Sequence, residues 1–299
     1  MRHGDIRIGI SGWRYKGWRG VFYPVGLRQK DELAFAAKAF RTIEINGTFY
    51  SLQRPEYFVA WRDQTPDEFS FAVKGPRFIT HMLKLTRAET PLANFFGNGL
   101  LALGDKLGPI LWQFPPNFRF NPEKLAEFFE QLPRDTQSAA RLAKKHDHRI
   151  KGRAWLRTDA NRPLRYAMEI RHESFRCPEF IALLRKHDVA LVVADTVDWP
   201  LLFDVTADFI YCRLHGSEQL YASGYESDAL DTWAKRVVAW SQGRELRDGD
   251  CAHPKKARAA PRDVFVYFDN DAKVRAPFDA HGLQDRVSRL MQPPRRTRR

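Results

Sequence analysis

Eight short apolar runs recur along the chain, each ending in a charged, amide or aromatic residue, and this pattern leaves few folds open. The run 6–10 ends in Ser11-Gly12-Trp13; 42–45 carries Glu44 and ends in Asn46; 69–73 ends in Lys74; 109–112 ends in Gln113. The run 166–170 contains Glu169 and ends in Arg171, 189–194 ends in Asp195, 209–214 contains Arg213 and ends in His215, and 264–268 ends in Asp269-Asn270. Runs this short and rich in Val, Ile, Leu, Phe and Tyr suit strands buried on both faces. Between most of them lie helically spaced apolar residues, such as Leu33, Ala36, Ala37 and Phe40, or Phe180, Leu183, Leu184 and His187. Eight β-then-α units predict an α/β fold, a closed (β/α)8 TIM-type barrel, with its active site at the carboxyl ends of the strands where the polar residues fall.

The 299 residues suit one barrel with insertions. We expect a single domain over 1–290, with inserts at about 135–164 and 243–262 and a basic, disordered tail over 291–299. Asn121-Pro122-Glu123 predicts a helix start after the fourth strand, and Ser227 with Asp228 and Asp231 predicts another after the seventh. The stretch 197–207 offers no full helix, so one barrel helix is expected to shrink to a turn. Three cysteines without paired spacing argue against a disulfide framework and a zinc ribbon. No apolar stretch approaches the roughly 18 residues of a membrane span, and the amino terminus lacks a signal core; a cytoplasmic protein with no membrane partner is expected.

A net charge of +13 suggests nucleic acid until its distribution is examined. Residues 141–165 carry nine Lys/Arg against two Asp, 244–262 six against three acids, and 291–299 four against none, which leaves the rest at −1. The excess therefore sits in peripheral segments, read either as solvated loops or as phosphate-binding edges of the mouth. Both inserts lead into strands, and such loops lie by default at the amino-terminal face, away from the expected site.

Alternation puts Glu44 on one face with Thr42 and Asn46, pairs Glu169 with Arg171, and pairs Arg213 with Tyr211. A carboxylate inside a barrel is costly unless paired or functional, so Glu44 is either catalytic or ion-paired with Lys74 or Arg213. Cations at several strand ends suit an anionic substrate, and Gln113, His81, His215, Asp269 and Asn270 add polar contacts. Glu44, Glu169, Asp195, His215 and Asp269 are also conceivable metal ligands, but no His-x-His or His-x-x-x-His pair marks a face; a divalent metal is not favoured, and no other cofactor is indicated. Trp13, Tyr15, Trp18, Phe49, Tyr50, Tyr221 and Tyr225 crowd three loops that follow strands. Such rings would stack on a sugar or base, or cap the barrel by packing together.

Taken together, Ile10-Ser11-Gly12-Trp13-Arg14-Tyr15, Glu44-Ile45-Asn46-Gly47-Thr48-Phe49-Tyr50, Phe71-Ala72-Val73-Lys74 with Ile79-Thr80-His81, Gln113-Phe114-Pro115-Pro116, Glu169-Ile170-Arg171-His172 and Tyr211-Cys212-Arg213-Leu214-His215-Gly216 resemble the YecE-like family, domain of unknown function 72. The resemblance runs from about Arg7 to Phe278. It implies a (β/α)8 barrel and no established activity. Its members usually end the last strand in Phe-Asn-Asn, whereas this chain has Phe268-Asp269-Asn270 and so gains a carboxylate. The implied fold is similar to barrels of the apurinic-endonuclease and xylose-isomerase type, which is analogy at the level of fold alone.

Three functions stay open. A phosphodiester hydrolase acting on nucleic acid or a related anion would use Lys74, Arg171 and Arg213 on phosphate, Glu44 or Asp195 as base, and Trp13 or Tyr50 for stacking. A carbohydrate-directed hydrolase or isomerase would use Glu44 and Glu169 as a carboxylate pair. A non-catalytic protein would bind an anion or nucleic acid through the same groups. The first is narrowly preferred, with Glu44, Lys74, Glu169 and Asp195 as catalytic candidates. The substrate-binding candidates are Trp13, Tyr15, Asn46, Tyr50, His81, Gln113, Arg171, Arg213, His215, Tyr225, Asp269 and Asn270. Oligomeric state is not indicated.

Overall fold

The computed structural model describes residues 3–216, 224–244, 246, 248–271 and 273–292. All eight apolar runs are strands: β1 (Ile6–Ser11), β2 (Thr42–Ile45), β3 (Ser70–Lys74), β4 (Leu107–Gln113), β5 (Tyr166–Glu169), β6 (Val189–Asp195), β7 (Phe209–Leu214) and β8 (Asp263–Phe268). They pair in parallel in chain order, and β8 closes on β1. The helices are α1 (Glu32–Ala39), α2 (Gly47–Tyr50), α3 (Pro55–Asp63), α4 (Glu89–Gly97), α5 (Pro122–Gln131), α6 (Thr136–Ala143), α7 (Pro178–Lys186), α8 (Ser227–Ser241) and α9 (Arg275–Met291). The fold is a (β/α)8 TIM barrel, and 196–208 holds no helix between β6 and β7.

Alternation along the strands divides the core in two. Ile10, Ile43, Val73, Ile110, Met168, Val193, Cys212 and Phe268 join the layer packed by the helices. Ala72, Leu111, Ala167, Val192, Tyr211 and Tyr267 form a separate cluster inside the barrel. Two residues further along, that inner face turns polar at Lys74, Gln113, Glu169, Arg213 and Asp269 while β6 keeps Ala194 there, and parallel register sets Ser11 beside Glu44 and Gln113 beside Glu169. Small residues make the closure tight: a Cβ on Gly9 would lie 1.9 Å from the Thr42 carbonyl oxygen.

Local signals act as the sequence suggests, with one correction at the carboxyl end. Asn121 caps α5, its side-chain oxygen accepting from the Lys124 amide at 2.8 Å. α8 starts at Ser227 with Asp228 in its first turn, as that signal predicts, although Glu226 before it forms no side-chain cap bond. Met291 closes α9 instead of starting the tail; 293–299 and Tyr221 lie outside the described residues.

The inserts part company. The first does not stay at the amino-terminal face. After α6 it climbs the flank of the barrel, where Arg149 lies over the Phe78 ring at 5.4 Å and Arg153 donates to the Gln53 carbonyl at 2.8 Å. The described part of the second does stay there: residues 253–262 pack beside Asp188 and Thr206, which lead into β6 and toward β7. Arg185 of α7 donates to the carbonyls of Val205 and Lys255, and Arg262 within the segment to those of Ala207, Ala260 and Arg258. These guanidinium groups serve as internal ties for an irregular loop, which buried carbonyls require.

Candidate functional site

Arg213 on β7 is the centre of the site. Its guanidinium is wholly buried and meets three carboxylates. It donates to Glu44 through Nε (3.1 Å) and Nη2 (2.9 Å), to Glu169 through Nη1 (2.5 Å) and to Asp269 through Nη2 (2.7 Å). Each carboxylate has further donors. Glu44 also accepts from Ser11 Oγ (3.0 Å) and Tyr211 Oη (2.6 Å), and Glu169 from Gln113 Nε2 (2.8 Å) and from Arg171 Nε and Nη2 (2.9 and 2.8 Å). His215 completes the cluster, with Nδ1 3.2 Å from Asp269 and Nε2 3.6 Å from Glu169. Burial alone would raise the carboxyl groups, but Arg213 and its neighbours hold Glu169 well below the usual carboxylate range and Asp269 at about 2. Buried charges in such a lattice are tolerable because every one is paired.

Above this lattice opens a cavity of about 690 Å³, a size typical of small-molecule sites. Gln113, Arg171 and Asp269 form its polar floor, and Trp13, Tyr15, Phe49, Tyr50 and Trp61 its aromatic walls. Lys74 reaches into it from the end of β3, 7 % exposed, its Nζ 4.3 Å from the centre of the Phe49 ring. Among the described residues it forms no ion pair. Burial and the neighbouring Arg213 push its ammonium down to about 8. Asp271, also lining the cavity, moves the other way: burial and the adjacent Asp269 raise it to about 6. His81, carried by a π-helical turn over Phe78–Met82, bonds Thr80 at 2.8 Å and is lowered to about 4 by burial and by Arg171 and Lys74. Arg171 stacks 3.6 Å from the Trp199 ring centre.

The structure thus gathers most of the residues singled out from sequence. Trp13, Tyr15, Asn46, Tyr50, Lys74, His81, Gln113, Arg171 and Asp269 line the cavity, while Glu44, Glu169, Arg213 and His215 lie beneath it. Three others are not brought there. Asp195 follows the inward-facing Ala194, so it turns outward and accepts from Trp233 Nε1 of α8 at 3.0 Å. Tyr225 packs on Phe268 and takes the Gly216 amide on its hydroxyl, and Asn270 donates to Asp279 at 2.8 Å. Trp13 and Tyr15 also have packing partners, Trp61 at 5.3 Å and Trp18 at 4.6 Å. Sequence reasoning missed Asp271, Trp199, Trp61 and Arg14. The run Asp269-Asn270-Asp271 was the available signal for the first. Among the described residues no group of three or more His, Cys, Asp or Glu is placed to hold a metal ion, and Arg213 fills the space that the three carboxylates face.

A family model described as "Protein of unknown function DUF72" matches residues 7–298. The chain belongs to the DUF72 family. Curated relatives include UPF0759 protein YecE of Escherichia coli K12, 30 % identical over 131 residues covering 43 % of this chain and 44 % of that protein. UPF0759 protein YunF of Bacillus subtilis is 29 % identical over 130 residues, 40 % of this chain and 44 % of its own. The matched stretch therefore spans less than half the length of these relatives. A DUF72 family protein from Thermotoga maritima superposes with a TM-score of 0.70 at 25 % identity, over 95 % of this chain and 99 % of that one. A DUF72 family protein from Enterococcus faecalis gives 0.65 at 18 % identity, over 96 % and 99 %, and shares the fold. No helix among the described residues is long and apolar enough to cross a membrane.

Proposed function

We propose that this DUF72 protein is a cytoplasmic phosphoester hydrolase, phosphodiesters included, whose anionic substrate sits in the mouth cavity. The observation that carries the reading is Lys74: a buried ammonium with no carboxylate partner among the described residues, opening into a cavity beside Arg171. Glu44, Asp269 and Glu169 act on this ammonium from a distance without forming an ion pair, and an anion entering the cavity supplies the direct partner that a buried charge favours. Lys74 and Arg171 then hold the phosphoryl oxygens and stabilise the charge that builds on them. Asp271, raised to about 6 and ionised at neutral pH, serves as general base. It takes a proton from water as the water oxygen bonds phosphorus; the P–O ester bond breaks, Lys74 gives its own proton to the departing oxygen, and the cycle closes as Asp271 releases a proton to solvent and Lys74 takes one up.

This reassigns the base. Glu44 accepts four hydrogen bonds and does not line the cavity, and Asp195 faces α8. The same geometry weighs against a sugar-cleaving carboxylate pair, because Glu44 and Glu169 are both clamped by Arg213 instead of flanking open space. The test is calorimetric titration with inorganic phosphate alongside hydrolysis of bis(4-nitrophenyl) phosphate, with and without added divalent ions. Lys74→Met is expected to weaken phosphate binding at least about tenfold, and Asp271→Asn to keep binding while lowering turnover about 10²–10⁴-fold. Phosphate binding without hydrolysis in any condition would make this a binding protein, and absence of phosphate binding would overturn the reading.

A further inference from the structure

Beside the mouth cavity runs a second, smaller groove of about 230 Å³. Phe49 and Tyr50 belong to both, so the two spaces share one aromatic wall. The groove differs in chemistry from its neighbour. Its surfaces are Leu52, Phe78, Met82 and the Tyr50 ring, with Arg77 and Arg149 at the edges. Arg77 lies 5.6 Å from the Tyr50 ring centre and Arg149 5.4 Å from that of Phe78.

Two features set this groove apart from ordinary surface. Tyr50 is 67 % exposed and Met82 65 %, a pair of large apolar side chains left open to solvent at the lip of a cavity. The backbone beneath them is also unusual: a π-helical turn over Phe78–Met82 is followed by left-handed conformations at Lys84 (φ 47°), Leu85 (φ 70°) and Arg87 (φ 51°). None of these is glycine, and such geometry costs free energy that regular helix would not. The first basic insert contributes as well, because it climbs the flank to deliver Arg149.

We infer that this groove is the subsite for the planar ring of a nucleoside phosphate whose phosphate rests on Lys74. The inference rests on the phosphoester reading for the anionic end and adds the class of group attached to it. Tyr50 stands between the two spaces, so one ligand can place its phosphate on one side and its ring on the other. A flat ring suits the groove better than an aliphatic chain does. It offers a face to Tyr50 and Phe78, apolar area to Met82, and a π-system to guanidinium groups already held over rings.

The test compares AMP, CMP, GMP and UMP with ribose 5-phosphate and inorganic phosphate by calorimetric titration of the full chain. At least one nucleotide is expected to bind about tenfold or more tightly than ribose 5-phosphate, the range that stacking of one base supports. In Arg77→Gln and in Met82→Ser, both surface changes, that advantage should shrink to about twofold while affinity for inorganic phosphate stays as it was. Equal binding of nucleotides and ribose 5-phosphate, with phosphate binding intact, overturns the groove assignment and leaves the phosphoester reading standing. A nucleotide advantage unmoved by either variant also overturns it. Failure of all six ligands to bind removes the phosphoester reading and this inference with it.

Discussion

At the scale of single residues, two buried cations stand in contrast. Arg213 is surrounded by carboxylates, whereas Lys74 has an aromatic ring and an open cavity. Arg213→Met should therefore cost about 3–5 kcal/mol in denaturant unfolding, because three buried carboxylates lose their common partner. A loss under about 1 kcal/mol would mean that the lattice contributes little. Asp269 gives the matching pH dependence. Its folded carboxyl is held at about 2, below the ordinary 3.8, so its contribution is present above about pH 4 and fades as pH falls toward 2. Unfolding curves should show that loss, and Asp269→Asn should flatten it; an unchanged slope in the variant would show that other carboxylates carry the acid limb. The face shared by Glu44 and Thr42, and that shared by Arg213 and Tyr211, could be read in sequence because alternation alone fixes them. Asp195 could not. Strands buried on both sides show no inside-outside pattern, so its parity became known only from the β6–β7 register, in which Ala194 pairs with Arg213.

At the scale of elements, strand identity and order were legible, since each run is short, apolar and followed by turn or helix signals. Bounds shifted by a residue or two: β3 begins at Ser70 and β4 at Leu107. The climb of the first insert was not legible, because nothing local tells a chain to pack Arg149 against Phe78; that contact depends on where α4 and α6 have already met. Gly75 illustrates how tightly the site's supports are packed. It follows Lys74 directly, and a Cβ there would lie 2.3 Å from the Trp112 ring. Gly75→Ala should destabilise the fold by about 1–3 kcal/mol through overpacking and displace Lys74. Thermal unfolding beside a crystal structure of the variant checks this, and a neutral substitution would show that the ring has room to move.

At the scale of the whole molecule, charge is sorted by place. The described basic segment 253–262 lies at the amino-terminal face, where Arg185 of α7 and its own Arg262 tie down the loop, and the mouth holds three carboxylates around Arg213 and Arg171, with Lys74 in the cavity above. The net charge of +13 is thus a poor guide to the site, and the distribution of pairs is a better one. The most direct measurement is calorimetric titration with sulfate at pH 8, in buffers of different ionisation enthalpy. Sulfate has no proton to exchange near that pH, Asp271 is already ionised, and Lys74 sits at about 8, so an anion docking on it must raise its affinity for a proton. Sulfate should bind with uptake of a fraction of a proton, and that uptake should vanish in Lys74→Met. Binding without proton uptake, or uptake that survives the substitution, would contradict the claim that Lys74 anchors the substrate.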